Sequence, residues 1–169
     1  MVLHPSAMQQ HVDLIRAFYA AFARRDHLTM AACYAPRAAF SDSVFPELAG
    51  WRIGAMWHML CARATDLELE VADIAADATG GSAHWEARYT FSATGRRVHN
   101  VIEASFRFSD GLFERHTDAF DLYAWSRQAL GLKGVLLGWA PPVQHAIRSQ
   151  AARGLDAFIR KQGLGEGTV

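Results

Sequence analysis

The segment from His84 to Asp121 alternates between apolar and polar residues with a period of two, and turn residues divide it into three strands. Because strand side chains point alternately to opposite faces, each of these strands has one face for the core and one for solvent. The core face of the first strand consists of Trp85, Ala87, Tyr89 and Phe91. The segment therefore predicts a half-buried antiparallel sheet that must be covered by another layer.

The second and third strands follow from the two turns in this segment. Ala93-Thr94-Gly95-Arg96 separates the first strand from the second, and Asp110-Gly111 provides the positive φ angles that a tight hairpin needs before the third. The core face of the second strand consists of Asn100, Ile102, Ala104, Phe106 and Phe108. The opposite face of the second strand is predicted to be exposed to solvent.

The third strand carries titratable residues on a side that otherwise reads as apolar. Leu112 and Phe120 bracket His116 and Asp118 at the same parity, although the position of Phe113 leaves the reverse assignment open. Burying an unpaired charge costs several kcal/mol or shifts its pKa, so such residues need a partner or a cavity. We therefore predict a lined cavity beside His116 and Asp118.

Helices precede this sheet. Ser6-x-x-Gln9 is a capping box that starts an amphipathic first helix, and Asp26 is predicted to cap a short second helix that Pro36 ends. A third helix is expected from about Trp51 to Ala64. The next strand changes its apolar parity near Val71, which indicates a bulge or bend. The plan is α+β, with a bent sheet around helices.

Asp42 is a third acid with an inward parity. A brief strand places it on the same side as Ala38, Phe40 and Val44. We assign proton transfer to His116, with Asp118 orienting it and Asp42 acting as a second acid across the cavity. The residues expected to line the cavity are Phe18, Tyr19, Trp57, Trp85, Tyr89, Asn100, Ile102, Ala104 and Phe120. A purely structural His–Asp pair, or ligand binding without chemistry, remains an alternative.

Composition limits the partners and the compartment. The chain has 17 basic residues (Lys and Arg) and 17 acidic residues (Asp and Glu), so its net charge is zero. It therefore has no overall positive charge that would attract nucleic acid or an anionic membrane. The longest apolar run, Val135 to Ala140, is too short to span a membrane. Cys33 and Cys61 are isolated, which fits reduced thiols in a cytoplasmic protein. We therefore expect neither a nucleic-acid nor a membrane partner.

No metal or cofactor is expected. His116-x-Asp118 matches half of an iron-binding facial triad, but the distant candidate His145 lies in a predicted helix beyond two prolines. A series of glycines, at Gly131, Gly134 and Gly138, lacks the Lys-Ser/Thr of a phosphate-binding loop. It is interpreted as a flexible loop.

The chain is expected to divide into a sheet domain over residues 1–125 and a helical C-terminal extension over residues 126–169. A helix from Asp121 to Leu130 is predicted to stop at Gly131, and Leu132 to Pro142 reads as an apolar loop. A helical stripe then runs from Val143 to Ile159. This last helix is expected to dock on its own domain, to cover the cavity as a lid, or to reach a partner subunit.

An ordered set of short segments resembles the nuclear transport factor 2-like superfamily, and within it the SnoaL-like polyketide cyclases and ketosteroid isomerases. The segments are Ile15-Arg16-Ala17-Phe18-Tyr19-Ala20-Ala21-Phe22 through Asp26, Ala39-Phe40-Ser41-Asp42, Thr94-Gly95-Arg96 and Ser105-Phe106-Arg107-Phe108-Ser109-Asp110-Gly111. The resemblance implies a cone-shaped, curved, mixed but mainly antiparallel sheet wrapped around N-terminal helices, the cystatin-like α+β roll.

The resemblance also bears on catalytic residues. It implies that Asp42 matches the general base of ketosteroid isomerases, whereas their oxyanion-hole tyrosine and aspartic acid fall on Phe18 and Ala104. Steroid isomerisation by that route is therefore disfavoured. The SnoaL-like cyclases imply acid–base chemistry by an aspartate in the cavity.

The functional expectation is a cofactor-independent isomerase, cyclase or hydrolase acting on a small hydrophobic carbonyl or epoxide compound. The alternative is a non-catalytic module for ligand binding or protein assembly. A homodimer is expected, because superfamily members commonly dimerise through the sheet, whose outer face here is broad and carries mixed charge. The residues of that face are Glu86, Arg88, Glu103, Ser105 and Arg107.

Overall fold

The computed structural model describes residues 6–168, which form six helices and one six-stranded sheet. The helices are α1 (Ala7–Ala23), α2 (His27–Ala32), α3 (Trp51–Arg63), α4 (Leu122–Leu130), α5 (Leu132–Leu137) and α6 (Pro141–Gln162). The strands are β1 (Tyr34–Ser41), β2 (Leu48–Ala49), β3 (Glu68–Ala76), β4 (Gly80–Phe91), β5 (Arg96–Ser109) and β6 (Leu112–Ala119).

The strand order in the sheet is β2-β1-β6-β5-β4-β3. Strand β1 pairs in parallel with β6, and every other pair is antiparallel, so the sheet is mixed. The fold is the predicted α+β cone with an additional C-terminal helix. Among the described residues, no helix is both long and apolar enough to span a membrane.

The concave face of the sheet is covered by the N-terminal helices. Ser6 caps α1 by accepting a hydrogen bond from the backbone N–H of Gln9, as the capping box predicts. Phe18 on α1 and Trp57 on α3 are fully buried, with ring centroids 5.4 Å apart. Both side chains therefore belong to the main core.

Strand β1 starts earlier than the sequence indicates. Pro36 does not end a helix: α2 stops at Ala32, and Pro36 lies within β1, where the pairing with β6 is irregular between Tyr34 and Ala39. A proline has no N–H to donate, and this break in the ladder accommodates it. Tyr34 consequently belongs to the sheet.

The bend predicted near Val71 occurs two residues later. The pairing of β3 with β4 shifts between Ala72 and Ala75, and Asp73 adopts a positive φ of 53°. This bulge curves the strand over α1.

The expected apolar loop from Leu132 contains the short helix α5. Gly134 and Gly138 are packing residues, because a Cβ on Gly134 would lie 1.9 Å from the Ser126 carbonyl oxygen and one on Gly138 would lie 2.0 Å from Ser126 Oγ. The glycines therefore allow α5 to lie directly on α4, and the expectation of a flexible loop is wrong here.

Helix α6 docks on its own chain. Leu155 is fully buried in the main core, and Arg52 on α3 forms an ion pair with Asp156 at 2.7 Å. Arg148 donates a hydrogen bond to the backbone carbonyl of Ser43 at 2.9 Å. Helix α6 is thereby held against α3, where it also lines the cavity described below.

Candidate active site

A cavity of about 730 Å³ lies between the concave sheet face, α3 and the C-terminal helices. Most of its wall is apolar, and eight aromatic residues contribute: Phe22, Phe45, Trp57, Trp85, Tyr89, Phe91, Phe120 and Trp125. Its two acidic residues are Asp42 and Asp118. Such a volume with few polar groups is typical of a small-molecule site.

Asp118 presents one carboxylate oxygen to this cavity. Its Oδ1 accepts hydrogen bonds from the His116 ring at 2.9 Å and from the Trp85 indole N–H at 3.3 Å. Within residues 6–168 no group hydrogen-bonds Oδ2, and Asp118 is only 4% exposed. One oxygen is therefore fixed by the protein, while the other is available to a ligand.

His116 lies behind Asp118 and has no exposed surface. Its Nε2 contacts Asp118, and its Nδ1 lies 2.6 Å from the Tyr34 hydroxyl, which in turn accepts a hydrogen bond from Trp57 Nε1–H at 3.0 Å. The tautomer with hydrogen on Nε2 satisfies all these groups, because the Tyr34 hydrogen then has Nδ1 as acceptor. We call Trp57, Tyr34, His116 and Asp118 the buried network.

Asp42 follows the last residue of β1 and closes a short turn. Its Oδ1 accepts hydrogen bonds from the backbone N–H groups of Val44 at 2.7 Å and Phe45 at 2.6 Å. Burial raises the pKa of the Asp42 carboxyl to about 6, and the negative charge of Asp118 adds to the rise, while those N–H groups oppose it. Asp42 can therefore exchange a proton near neutral pH.

Two tyrosine hydroxyls lie near these acids. The Tyr89 hydroxyl accepts a hydrogen bond from Trp125 Nε1–H at 2.9 Å, and burial raises its pKa. The Tyr19 hydroxyl has no hydrogen-bond partner within the described part of the chain, and burial together with the charge of Asp118 raises its pKa well above the usual value. Both hydroxyls therefore stay neutral at physiological pH.

The structure brings most of the predicted site residues to the cavity wall. They are Asp42, Asp118, Trp57, Trp85, Tyr89, Asn100, Ile102 and Phe120. Phe18, Tyr19, Ala104 and His116 do not line it, because they fill the core below, where the Phe18 and His116 ring centroids are 5.5 Å apart. Asp118 therefore reaches the cavity wall, whereas His116 lies behind it and contacts it by a hydrogen bond.

Sequence reasoning missed two contributions. The sequence pattern places Tyr34 in the second helix, whereas in the structure it is the first residue of β1. The signal for its strand position in the sequence is its closeness to Pro36. The wall formed by Trp125, Ile147 and Ala151 also went unrecognised, because helical periodicity shows that a face is apolar but not what it covers. No cluster of three or more metal-binding side chains occurs in residues 6–168.

The family model that matches the chain is the SnoaL-like domain, over residues 15–116. Among solved structures, an LEH-like epoxide hydrolase from M. tuberculosis aligns with 19% identity and a TM-score of 0.64, covering 78% of this chain and 96% of that one. A candidate polyketide cyclase from Xanthomonas campestris pv. campestris aligns with 24% identity and a TM-score of 0.62, covering 73% and 99%.

A candidate SnoaL-like polyketide cyclase from Jannaschia sp. CCS1 aligns with 12% identity and a TM-score of 0.66, covering 78% of this chain and 99% of that one. At these identities the likeness shows the fold alone. Each structure is nearly completely covered, whereas about a quarter of this chain lies outside the alignments. No curated protein sequence matches the chain.

Proposed function

The chain belongs to the SnoaL-like domain family, and from that premise we propose that it is a cofactor-independent acid–base enzyme. Its substrate is a small hydrophobic molecule with a carbonyl or epoxide group, and the reaction is an isomerisation, cyclisation or hydrolysis. The observation that carries the proposal is the free Oδ2 of Asp118, held by His116 at the wall of an apolar cavity.

Asp118 is the proposed base. Its carboxylate would take a proton from a carbon beside the substrate carbonyl, or from a water molecule that attacks an epoxide carbon. The His116 Nε2–H bond fixes Oδ1, so that Oδ2 is oriented before the substrate arrives. His116 is therefore a positioning residue in this mechanism.

Asp42 is the proposed acid. With a pKa of about 6, roughly a tenth of the Asp42 carboxyl groups carry a proton at pH 7, and these can donate it to the developing oxyanion of the substrate. An oxyanion next to a protonated carboxyl is also stabilised by its hydrogen bond. Asp42 and Asp118 then act as acid and base in one cavity.

The relatives support this reaction class without fixing it. One similar structure is described as an epoxide hydrolase and others as candidate polyketide cyclases, and both reactions move protons without a redox cofactor. The alternative is a binding or assembly module. It is favoured by the buried network, whose groups pair with one another as they would in a purely structural core.

Turnover assays separate these two functions. Wild-type protein is incubated with cyclohexene oxide in H₂¹⁸O and with cyclic ketones in D₂O, and diol formation and α-proton exchange are followed by mass spectrometry and NMR. We expect Asp118→Asn to lower the measured rate roughly 10²- to 10⁴-fold and Glu114→Gln, at an exposed position of the same strand, to retain the wild-type rate. Equal rates for wild type and Asp118→Asn would contradict the enzyme.

We further propose a homodimer formed through the outer face of the sheet. That face carries an ion-pair network in which Glu86 bonds both His84 and His99, and Glu103 bonds His84. Mixed charge of this kind suits a two-fold contact. Light scattering at several protein concentrations tests it, and a monomer at all of them would contradict it.

The C-terminal residues are proposed as an extension of the domain. Residues 1–125 form the SnoaL-like part and 126–169 the extension, although α4 crosses this boundary. Ile147, Gln150 and Ala151 of α6 line the cavity, so the extension contributes to substrate selection. Replacing Ala151 with Trp should exclude larger substrates while smaller ones are still converted, which a substrate-size series measures.

A further inference from the structure

The two acids of the cavity have no cationic partner in the described part of the protein. Among residues 6–168, Asp42 forms no ion pair, and the only ion-pair partner of Asp118 is His116, which is charged only if protonated. Each keeps an Oδ2 without a hydrogen bond from residues 6–168. Carboxylates in apolar surroundings are costly unless a positive charge compensates them.

The two acids are neighbours in the fold, because Ser41 pairs with Thr117 in the parallel β1–β6 ladder and Asp42 and Asp118 directly follow these residues. The negative charge of Asp118 contributes to the raised pKa of Asp42, and the charge of Asp42 contributes to the raised pKa of Tyr89. A positive charge placed between the two carboxylates would be attracted by both. In water-poor surroundings this attraction is much stronger than at the protein surface.

Aromatic residues surround the same region. Trp85 contacts Asp118 through its indole N–H, and Tyr89 and Trp125 are joined by a hydrogen bond next to the Asp42 side. The faces of aromatic rings attract ammonium groups by about 0.5 to 2 kcal/mol each. Carboxylates together with aromatic rings form the usual environment of a bound amine.

We propose that the ligand of this cavity carries a positively charged nitrogen, which binds between Asp42 and Asp118. This inference rests on the proposed function for the site and adds a property of the substrate: an apolar, amine-bearing compound. The competing group is Arg63, an exposed residue that also lines the cavity and would favour an anionic ligand. Arg63 lies beside Gly154 of α6, away from the core, and therefore does not neutralise the buried acids.

The test uses three probes with one shape and different charges: 1-adamantylamine, 1-adamantanol and 1-adamantanecarboxylate. Binding at pH 7.5 is followed by tryptophan fluorescence, since Trp57, Trp85 and Trp125 line the cavity. We expect the amine to bind about 10-fold more tightly than the alcohol, and the carboxylate to bind more weakly than either.

Variants show which carboxylates attract the amine. Asp42→Asn and Asp118→Asn should each remove most of the amine's advantage while the alcohol binds as before. Glu114→Gln should leave both affinities unchanged, because Glu114 is exposed and does not line the cavity. The comparison of the three probes on wild-type protein stands even if a variant does not fold.

The possible outcomes distinguish this inference from the proposed function. Equal affinity for amine and alcohol would contradict the proposal of a cationic ligand. Tightest binding of the carboxylate would also contradict it and would indicate an anionic ligand that binds Arg63. In both cases turnover in the epoxide and ketone assays would leave the enzyme proposal intact. If none of the three probes binds and no turnover is found, both proposals fall.

Discussion

The hydroxyl of Tyr34 lies 2.6 Å from Nδ1 of His116, although the two residues are 82 positions apart in the chain. They meet because β1 and β6 are parallel neighbours at the centre of one side of the sheet. Burial raises the pKa of Tyr34 well above its usual value, so the hydroxyl keeps its hydrogen. It can therefore hold the His116 ring in the tautomer that supports Asp118.

Replacing Tyr34 with Phe should destabilise the protein by about 1 to 3 kcal/mol, because Trp57 Nε1–H and His116 Nδ1 would lose their partner in the core. Urea unfolding of the variant measures this loss. Tyr123→Phe is the matched control, since its hydroxyl bonds the Val135 carbonyl near the surface. If Tyr34→Phe were as stable as Tyr123→Phe, the hydrogen bonds of the Tyr34 hydroxyl would not contribute to the free energy of unfolding.

Asp118 and His116, two neighbouring members of the buried network, should respond differently to mutation. Asp118→Asn keeps the shape and the acceptor oxygen for His116 but removes the base, so turnover should fall roughly 10²- to 10⁴-fold with little change in stability. His116→Gln should lower stability by about 1 to 3 kcal/mol and reduce turnover by misplacing Asp118. Thermal melts beside the turnover assay measure both. Unchanged turnover in a destabilised His116→Gln would end its positioning role.

Strands β4 and β5 could be predicted from parity because burial follows a simple alternation there, whereas in β6 the alternation breaks between buried Phe113 and exposed Glu114. Trp85, Ala87, Ile102 and Ala104 are buried, and His116 and Asp118 point inward as expected. The edge strand β2 was not predicted, since two residues carry no periodicity. Pattern alone also gave no basis for the parallel pairing of β1 with β6.

The inward direction of Asp42, His116 and Asp118 could be predicted, but their order in space could not. Residues i and i+2 of a strand share a face, which predicts that His116 and Asp118 are neighbours. Which of them reaches the cavity depends on how far α1 fills the cone, and therefore on Phe18 and Tyr19. That depth is a property of packing between distant segments.

Gly134→Ala tests the close contact of α5 with α4. The new Cβ would overlap the Ser126 carbonyl, a backbone group that no change of rotamer can move, so α5 must shift. We expect a loss of about 1 to 3 kcal/mol in the free energy of unfolding, measured by urea titration. Gly165→Ala is the control, because nothing lies within 4 Å of its added Cβ. Equal stability of the two variants would contradict the packing role.

The pH dependence of stability tests the environment of Asp42. Its pKa is raised from 3.8 to about 6 in the folded protein, so the folded state binds this proton more tightly than the unfolded state. The resulting stabilisation is fully present below about pH 3.8 and is lost as the pH rises through 6. From the size of the shift, the loss is about 2 to 3 kcal/mol.

Asp42→Asn does not titrate but can still accept hydrogen bonds from the backbone N–H groups of Val44 and Phe45. The free energy of unfolding of wild type minus that of Asp42→Asn should therefore fall between pH 4 and pH 7, as urea titrations at each pH would show. The same difference for Asp77→Asn should stay flat, because the N–H groups of Thr79 and Gly80 lower the pKa of Asp77 and move its titration below that range. A difference for Asp42 that is constant, or that rises with pH, would mean that its carboxylate is well solvated, and the case for Asp42 as the acid would be lost.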